Sequence, residues 1–475
     1  MVAVEVVGSR LTSRESVSME FKSCSDSLSR DFWPTYSAFA NTFGGVIVLG
    51  VDDKTHDIIG VNDPDKIIKE IWDLLNDGRK VNVNLLSPSD VERMEIDGKC
   101  IVKVTVPRAE RRKRPVFING TMENGTYKRN GEGDYHCSIG DLAQMLRDKS
   151  DSPQDSTCVE NISLDDLDGD SISSFRGRMA TRAPSHPWND RSDMDFLRLV
   201  GAVSKGDDGE LHPTIAGLLM FGYDYSIMSE LPNYHLDYYE FGNDGREWKH
   251  RISTGTGVFS GNVYNFLCEA ANRISIVNSS GKVLEGVERI DDTLLMRIQR
   301  ELLVNALVHA DYRGSRGIRI EWRPDCFMAR NPGCLRIPMH DMIEGGVSDP
   351  RNPHMAMMMG LIGMSERAGS GVSDIVESCR KSGIPGPRYE EGSDPDSVTV
   401  FLSTSVPTDD ESMQDAIKRL MRRDPSISLD KMAKALGKDR SKVMRVVNGM
   451  KDEGAVERVG GTRGRWLVND GRTGM

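Results

Sequence analysis

Residues 297–312 read RIQRELLVNALVHADY, a run in which Glu301, Asn305 and His309 interrupt an otherwise apolar helix end. Steps of four residues advance about 400° around a helix, so these side chains form one polar stripe flanked by Leu302, Leu303, Val304, Ala306, Leu307 and Val308. Spacing alone allows two readings: the solvated face of an amphipathic helix, or one wall of a polar site. The chain that follows bears on the choice. GIRIEW and CFMARNPG read as strands, SDPRNP (348–353) lies in a long loop, and ERAGSGV (366–372) supplies a second glycine turn after the helix. A glycine loop whose backbone amides face outward can cradle phosphate, and a helix Asn can hold the Mg²⁺ that bridges phosphate oxygens.

The chain has 475 residues, room for about three domains that each bury a core. A content of 38% hydrophobic and 28% charged residues suits a globular protein. No apolar run approaches the roughly 18 residues of a membrane span, and Met1 to Leu11 lacks a basic start followed by an apolar core, so a cytoplasmic location is expected. Eight cysteines are scattered without a CxxC pair, which argues against a disulfide framework or a zinc ribbon and predicts reduced, structural thiols. The net charge of −11 hides an asymmetry. Residues 411–475 hold 15 Lys plus Arg against 9 Asp plus Glu, so any contact with a duplex by charge alone points first to the C-terminus.

Two polar, aperiodic breaks, KSDSPQDST from Lys149 and STSVPTDDE from Ser403, divide the chain into 1–148, 160–402 and 412–475, with linkers at 149–159 and 403–411. In the first segment VIVLGVDD and IVKVTVP read as strands and 30–42 and 65–75 as helices, giving mixed α and β. The middle segment alternates helices (194–203, 263–274, 294–310) with strands (317–322, 326–330, 397–402), predicting a helix layer over one sheet. The overall class is α+β, multidomain.

In the first segment Glu15, Glu20 and Asp53 are three acidic positions that could converge on a divalent metal, since oxygen ligands suit Mg²⁺ or Mn²⁺. The alternative is that Glu20 and Lys22 pair along one strand face and hold the fold. Arg111, Arg112, Lys113 and Arg114 form the densest basic cluster, either a solvated loop or, beside Lys128 and Arg129, a grip on phosphates. The patterns ESVSMEFK, AFANTFGG, GVDD and RPVFINGTMENGTYKRNGEGD together resemble the Schlafen-type Alba-2 domain, a nucleic-acid-binding module with an Alba-like α/β fold. The resemblance covers about residues 12–147. It implies nucleic-acid contact, DNA or RNA. In the Schlafen branch that cleaves RNA, two glutamates and an aspartate are catalytic, and Glu15, Glu20 and Asp53 match them.

In the middle segment ELLVNALVHADY, RNPG, RNPHMA, ERAGSGV and the lead-in LHPTIAGLLMFG resemble the GHKL-type ATP-binding fold of gyrase, MutL and sensor histidine kinases, in the divergent version found at the C-terminus of RecG-like helicases. The resemblance implies an α/β sandwich that binds ATP with Mg²⁺. Asn305 would hold metal and phosphate, Glu301 would orient the attacking water of a weak ATPase, and His309, Asp311, Asn331, Gly333, Gly369, Ser370 and Gly371 would complete the nucleotide site. Two departures stand out. RNPGCLRIP replaces the Asp-x-Gly-x-Gly that reads adenine, leaving Asn331 as the nearest polar candidate, and HADY replaces HRDY. A helicase motor is excluded, because Gly98-Lys99, Gly281-Lys282 and Gly437-Lys438 are each followed by a residue other than Ser or Thr.

After Pro425 two short helices around Gly437 and a Gly-Gly hairpin resemble a winged helix-turn-helix. Arg440, Ser441, Lys442 and Arg445 would face the major groove, with Arg463 and Arg465 at the wing tip. The sum of these readings is an ATP-binding, DNA-binding transcriptional regulator, expected as a homo-oligomer by resemblance. The alternatives are a metal-dependent nuclease, of use against foreign nucleic acid, and a scaffold with a degenerate ATP pocket.

Overall fold

The computed structural model describes residues 6–7, 10–11, 16–242, 247–279, 292–365, 371–382, 384–404, 409–423, 425, 427–436, 438–459 and 465–468. In the first segment β1 (Met19–Lys22), β2 (Gly45–Leu49), β3 (Val91–Ile96) and β4 (Lys99–Val106) form a sheet of order β1-β2-β4-β3, with β1 and β2 parallel. Strand alternation splits its apolar residues between two faces. Ile47, Leu49, Val102 and Val104 lie with α1 (Phe32–Asn41) and α2 (Pro64–Leu75), while Phe21, Val46, Val48 and Ile101 form a smaller cluster. Helix α2 starts where Asp63 accepts from the Lys66 amide and Pro64 fills the first turn, and it buries Ile67, Ile71 and Leu75 at four-residue spacing. A hairpin of β5 (Tyr127–Asn130) and β6 (Gly133–His136) and helix α3 (Ile139–Lys149) complete the segment.

The middle of the chain has one continuous core running from Val159 to Leu402. Its sheet comprises β7 (Leu236–Phe241), β8 (Trp248–Ser253), β9 (Ile318–Trp322), β10 (Cys326–Pro332), β11 (Arg388–Ser393) and β12 (Asp396–Ser403), in the order β8-β7-β9-β10-β12-β11. Only the β7–β9 pairing is parallel. Around it lie α4 (Gly169–Arg182), α5 (Val263–Ser279), α6 (Asp292–Val308), α7 (Pro353–Leu361) and α8 (Gly371–Lys381).

Two expectations need correction. The helix read over 194–203 stops at Leu199, because Gly201 takes a positive φ of 72° and Val203 begins a short strand. The strand read through Asp53 ends at Leu49, leaving Asp52 to accept from the Lys54 and Thr55 amides in a turn. Within the stretch 149–159, read as a linker, the fully buried Asp155 accepts from the Met355 amide at 3.0 Å in the first turn of α7.

The last segment contains α9 (Asp409–Arg423), α10 (Leu429–Leu436) and α11 (Arg440–Asp452), followed by an antiparallel hairpin of β13 (Val456–Val459) and β14 (Arg465–Val468). Ile417, Met432, Val443, Met450 and Trp466 form its own core. Among the described residues no helix is long and apolar enough to cross a membrane.

Candidate functional site

A cavity of about 940 Å³ lies against α6, walled on other sides by 334–337, 347–351, α7, the start of α8 and the sheet residues Tyr389, Val398 and Val400. Glu301, Asn305 and His309 all line it, so the polar stripe is a wall and not a wet face. Its apolar flanks Leu302, Leu303, Leu307 and Val308 are buried in the core and fix the helix rotation. The Asn305 Nδ2 is buried with no hydrogen-bond partner. Leaving such a donor unmet costs about 1–3 kcal/mol, which a polar ligand would recover.

Glu301 reaches the first residue of α8. A Cβ added at Gly371 would sit 2.5 Å from Glu301 Oε1, so only glycine lets the carboxylate approach this closely. The start of α8 at Gly371, with the partial positive charge of a helix N-terminus, thus lines the cavity. Asn331 ends β10 on the apolar side, buried, with its Nδ2 donating to the Pro332 carbonyl at 3.2 Å. The Tyr389 hydroxyl, also on the cavity lining, is buried without a hydrogen-bond partner, and burial followed by the negative Glu301 raises its pKa.

The carbonyls at the end of α6 are met by the 348–353 loop. Arg351 donates to the His309 carbonyl at 2.5 Å, and Asn352 to those of Val308 and Ala310 at 3.1 and 2.8 Å. A cation and an amide at a helix C-terminus satisfy its orphan carbonyls and its dipole together. Burial, then the positive Arg351 and Arg336, push the His309 pKa down from 6.5 to about 4. His309 is therefore neutral at pH 7. Because the folded value lies below the unfolded one, its stabilising contribution is complete above about pH 6.5 and is lost as pH falls toward 4. We expect its ring signals, followed by NMR, to stay unshifted between pH 6 and 8 and to move only near pH 4.

Several expected residues lie elsewhere. Asp311 is 1% exposed and bonded to Arg147 of α3 at 2.9 Å, so it ties two segments together and does not line the cavity. Gly333, at φ +97°, packs its backbone on the Arg351 guanidinium and is not among the residues that line the cavity. Gly369 and Ser370 lie outside the described residues, as do Glu15 and Arg463.

Of the acidic set of the first segment, Glu20 and Asp53 are described and Glu15 is not. Glu20 is buried and both its oxygens are taken, Oε1 by Lys22 at 2.6 Å and Oε2 by Arg129 at 2.7 Å. Asp53 is exposed in the turn after β2. The pairing of Glu20 with Lys22 is the structural alternative raised by the sequence. Arg129, expected on nucleic acid, is 1% exposed and also bonds Asp134, so no phosphate reaches it in this arrangement. Lys128 is likewise held by Asp141 and Asp396.

The basic cluster is mostly engaged as well. Arg111 bonds Asp349 at 2.5 Å, and the carbonyls of Asp148 and Ser150. Arg114 is buried beside the Cys334 sulfur. Arg112 and Lys113 stay exposed, in loose pairs with Asp151 and Glu110. In the last segment Arg440, Ser441 and Arg445 are exposed on α11, Lys442 is half-buried, and Arg465 is exposed at the start of β14.

Fold and site together define a multidomain α+β protein whose first segment is locked by ion pairs onto a sheet domain with a cavity lined by Glu301, Asn305 and His309. Comparison with known families gives the segments their kind. Residues 15–138 match the family model "Schlafen, AlbA_2", and 315–402 match "Putative ATP-dependent DNA helicase recG C-terminal", an ATPase-like model that begins after α6. Residues 143–237 match a domain of unknown function, DUF8451. No curated protein matches the chain. Among solved structures, the DIP2311 protein from Corynebacterium diphtheriae is 18% identical over 98% of this chain and 94% of its own, with a TM-score of 0.41. The N-terminal domain of a helicase RecG-related protein from Nitrosomonas europaea is 25% identical over 26% of this chain and 83% of its own, with a TM-score of 0.19.

Proposed function

We propose that the cavity binds ATP with Mg²⁺ and that its occupancy modulates nucleic-acid binding by the flanking segments, making the chain a nucleotide-responsive, DNA-binding regulator of transcription. The observation that carries this reading is the partnerless Asn305 amide beside Glu301 and the α8 N-terminus. The ATPase-like match at 315–402 and the AlbA_2 match at 15–138 support it. Asn305 and Glu301 offer oxygen ligands suited to Mg²⁺, which would supply charge neutralisation for the phosphates. Val398, Val400 and Ile337 offer apolar surface to a base, with Asn331 as its polar reader.

A route for the coupling is built into the rim. Asp349 lines the cavity and is shared between Arg336 of the sheet domain, at 3.2 Å, and Arg111 of the first segment. An anion that draws Arg336 inward changes the hold of Asp349 on Arg111, and with it the docking of the two segments. In the last segment, the three helices and hairpin support a winged-helix reading, with the exposed Arg440, Ser441 and Arg445 of α11 toward the groove and Arg465 near the wing.

A nuclease at Glu15, Glu20 and Asp53 is the weaker reading, since both Glu20 oxygens are already bonded. Calorimetric titration with a non-hydrolysable ATP analogue and Mg²⁺, followed by duplex binding with and without the analogue, tests the proposal. We expect saturable binding and a change in duplex affinity in the range of about 5- to 150-fold. No heat of binding, together with unchanged duplex affinity, would remove it.

A further inference from the structure

The cavity receives one cation from outside both named family matches. Arg182 closes the last turn of α4, within the 143–237 stretch of unknown function, and its side chain lines the cavity. Its guanidinium lies against Gly363, which has a φ of +72°, and any side chain at 363 would collide with it. Among the described residues Arg182 has no ion-pair or hydrogen-bond partner. Attraction to the helix dipole accounts for a cation in the last turn of α4, but not for its reach across to the turn after α7.

The surroundings give that reach a purpose. Gly363 and Ser365 stand at one end of the connection between α7 and α8, and Gly371, met by Glu301, stands at the other. The cavity lining includes the partnerless Asn305 amide, the start of α8 and Arg182, together with Asn331 and the apolar Ile337, Val398 and Val400. The other charges on the wall are Glu301, Asp349 and Asp374, and the cations Arg336 and Arg351. Arg351 is committed to Asp148 and Arg336 to Asp349, which leaves Arg182 as the lining arginine without a carboxylate partner among the described residues.

We propose that Arg182 binds the terminal phosphate of a nucleoside triphosphate in this cavity, so that the stretch of unknown function completes the site and discriminates triphosphate from diphosphate. The inference rests on the nucleotide reading above. Guanidinium suits the task because it keeps its charge at any working pH and offers two parallel donors to phosphate oxygens.

The test compares wild type, Arg182→Gln and Arg182→Lys of the full chain by calorimetry, with ATP, ADP and inorganic tripolyphosphate as separate titrants and Mg²⁺ present. For Arg182→Gln, ATP and tripolyphosphate affinities are expected to fall about 10- to 100-fold, with ADP changing by less than about 3-fold and the Lys variant recovering part of the loss. Thermal denaturation should be unchanged, since the residue is exposed and, among the described residues, has no ion-pair or hydrogen-bond partner. Equal ATP affinity in wild type and both variants overturns the inference and leaves the nucleotide reading standing. Tripolyphosphate binding that depends on Arg182, without any ATP binding, overturns the nucleotide reading and retains the anion site. If neither ligand binds wild type, both are overturned.

Discussion

Asn305→Ala is expected to weaken binding of an ATP analogue with Mg²⁺ by about 100-fold or more while leaving the unliganded protein as stable as wild type. The two halves of this expectation come from the same atom. Asn305 Nδ2 is buried and makes no hydrogen bond, so truncation breaks none there. It removes an unmet donor from the cavity wall, and alanine is the better helix former in α6. A ligand that satisfies the amide gains what the empty site lacks, and that gain is what the variant forfeits. A packing residue behaves in the opposite way, losing stability first and binding only as a result. Calorimetry reads the affinity and thermal unfolding reads the stability. Unaltered affinity would refute the assigned pocket, and a large loss of stability would show that the amide serves the fold.

The site was half legible in the sequence because half of it is local. Four-residue spacing on α6 sets Glu301, Asn305 and His309 on one wall, and that periodicity needs no knowledge of the rest of the chain. The opposite wall depends on contacts far apart in sequence. Arg351 lies in SDPRNP, a stretch that reads only as a loop, and its partner Asp148 is 203 residues away. The basic run at Arg111 looked free for phosphates because its carboxylate partner Asp349 comes from another segment. Arg182 gave no signal, since one arginine at a helix end is what the dipole alone would favour.

Strands follow the same division. Helices α1 and α2 coincide, within two residues at either end, with the helical patterns read at 30–42 and 65–75. The β7 run LDYYEF lacks clean alternation because most of it is buried, with a neighbour on either side, and the sequence reading contains no strand there. Edge strand β8, half exposed and ending in His250, Arg251, Ile252 and Ser253, carries no stronger pattern.

Arg351→Ala is expected to lower the unfolding free energy by about 3–5 kcal/mol at pH 7, the cost of leaving a buried charge without its partner. Arg351 is 1% exposed and grips Asp148 by two bonds, Nε to Oδ1 at 3.0 Å and Nη2 to Oδ2 at 2.9 Å. Its remaining bonds reach the carbonyls of His309 and Cys334, so one side chain joins α3, the end of α6 and the cavity rim. Burial alone would raise the Asp148 carboxyl, but Arg351, with Arg336 and Arg114 farther off, outweighs it and holds the pKa below the ordinary 3.8. A carboxylate whose folded pKa is depressed contributes stability that is complete above its unfolded value and is lost as pH falls through the folded one. The difference between wild type and Arg351→Ala should therefore be full at pH 7 and shrink below about pH 4, where protonated Asp148 no longer needs the guanidinium. The double variant Asp148→Leu with Arg351→Met should regain much of the loss, because apolar side chains can replace a buried pair that neither charge can leave singly. Denaturant unfolding at several pH values measures all three. A difference that stays constant down to about pH 3 would show that Arg351 acts through the His309 and Cys334 carbonyls and not through Asp148.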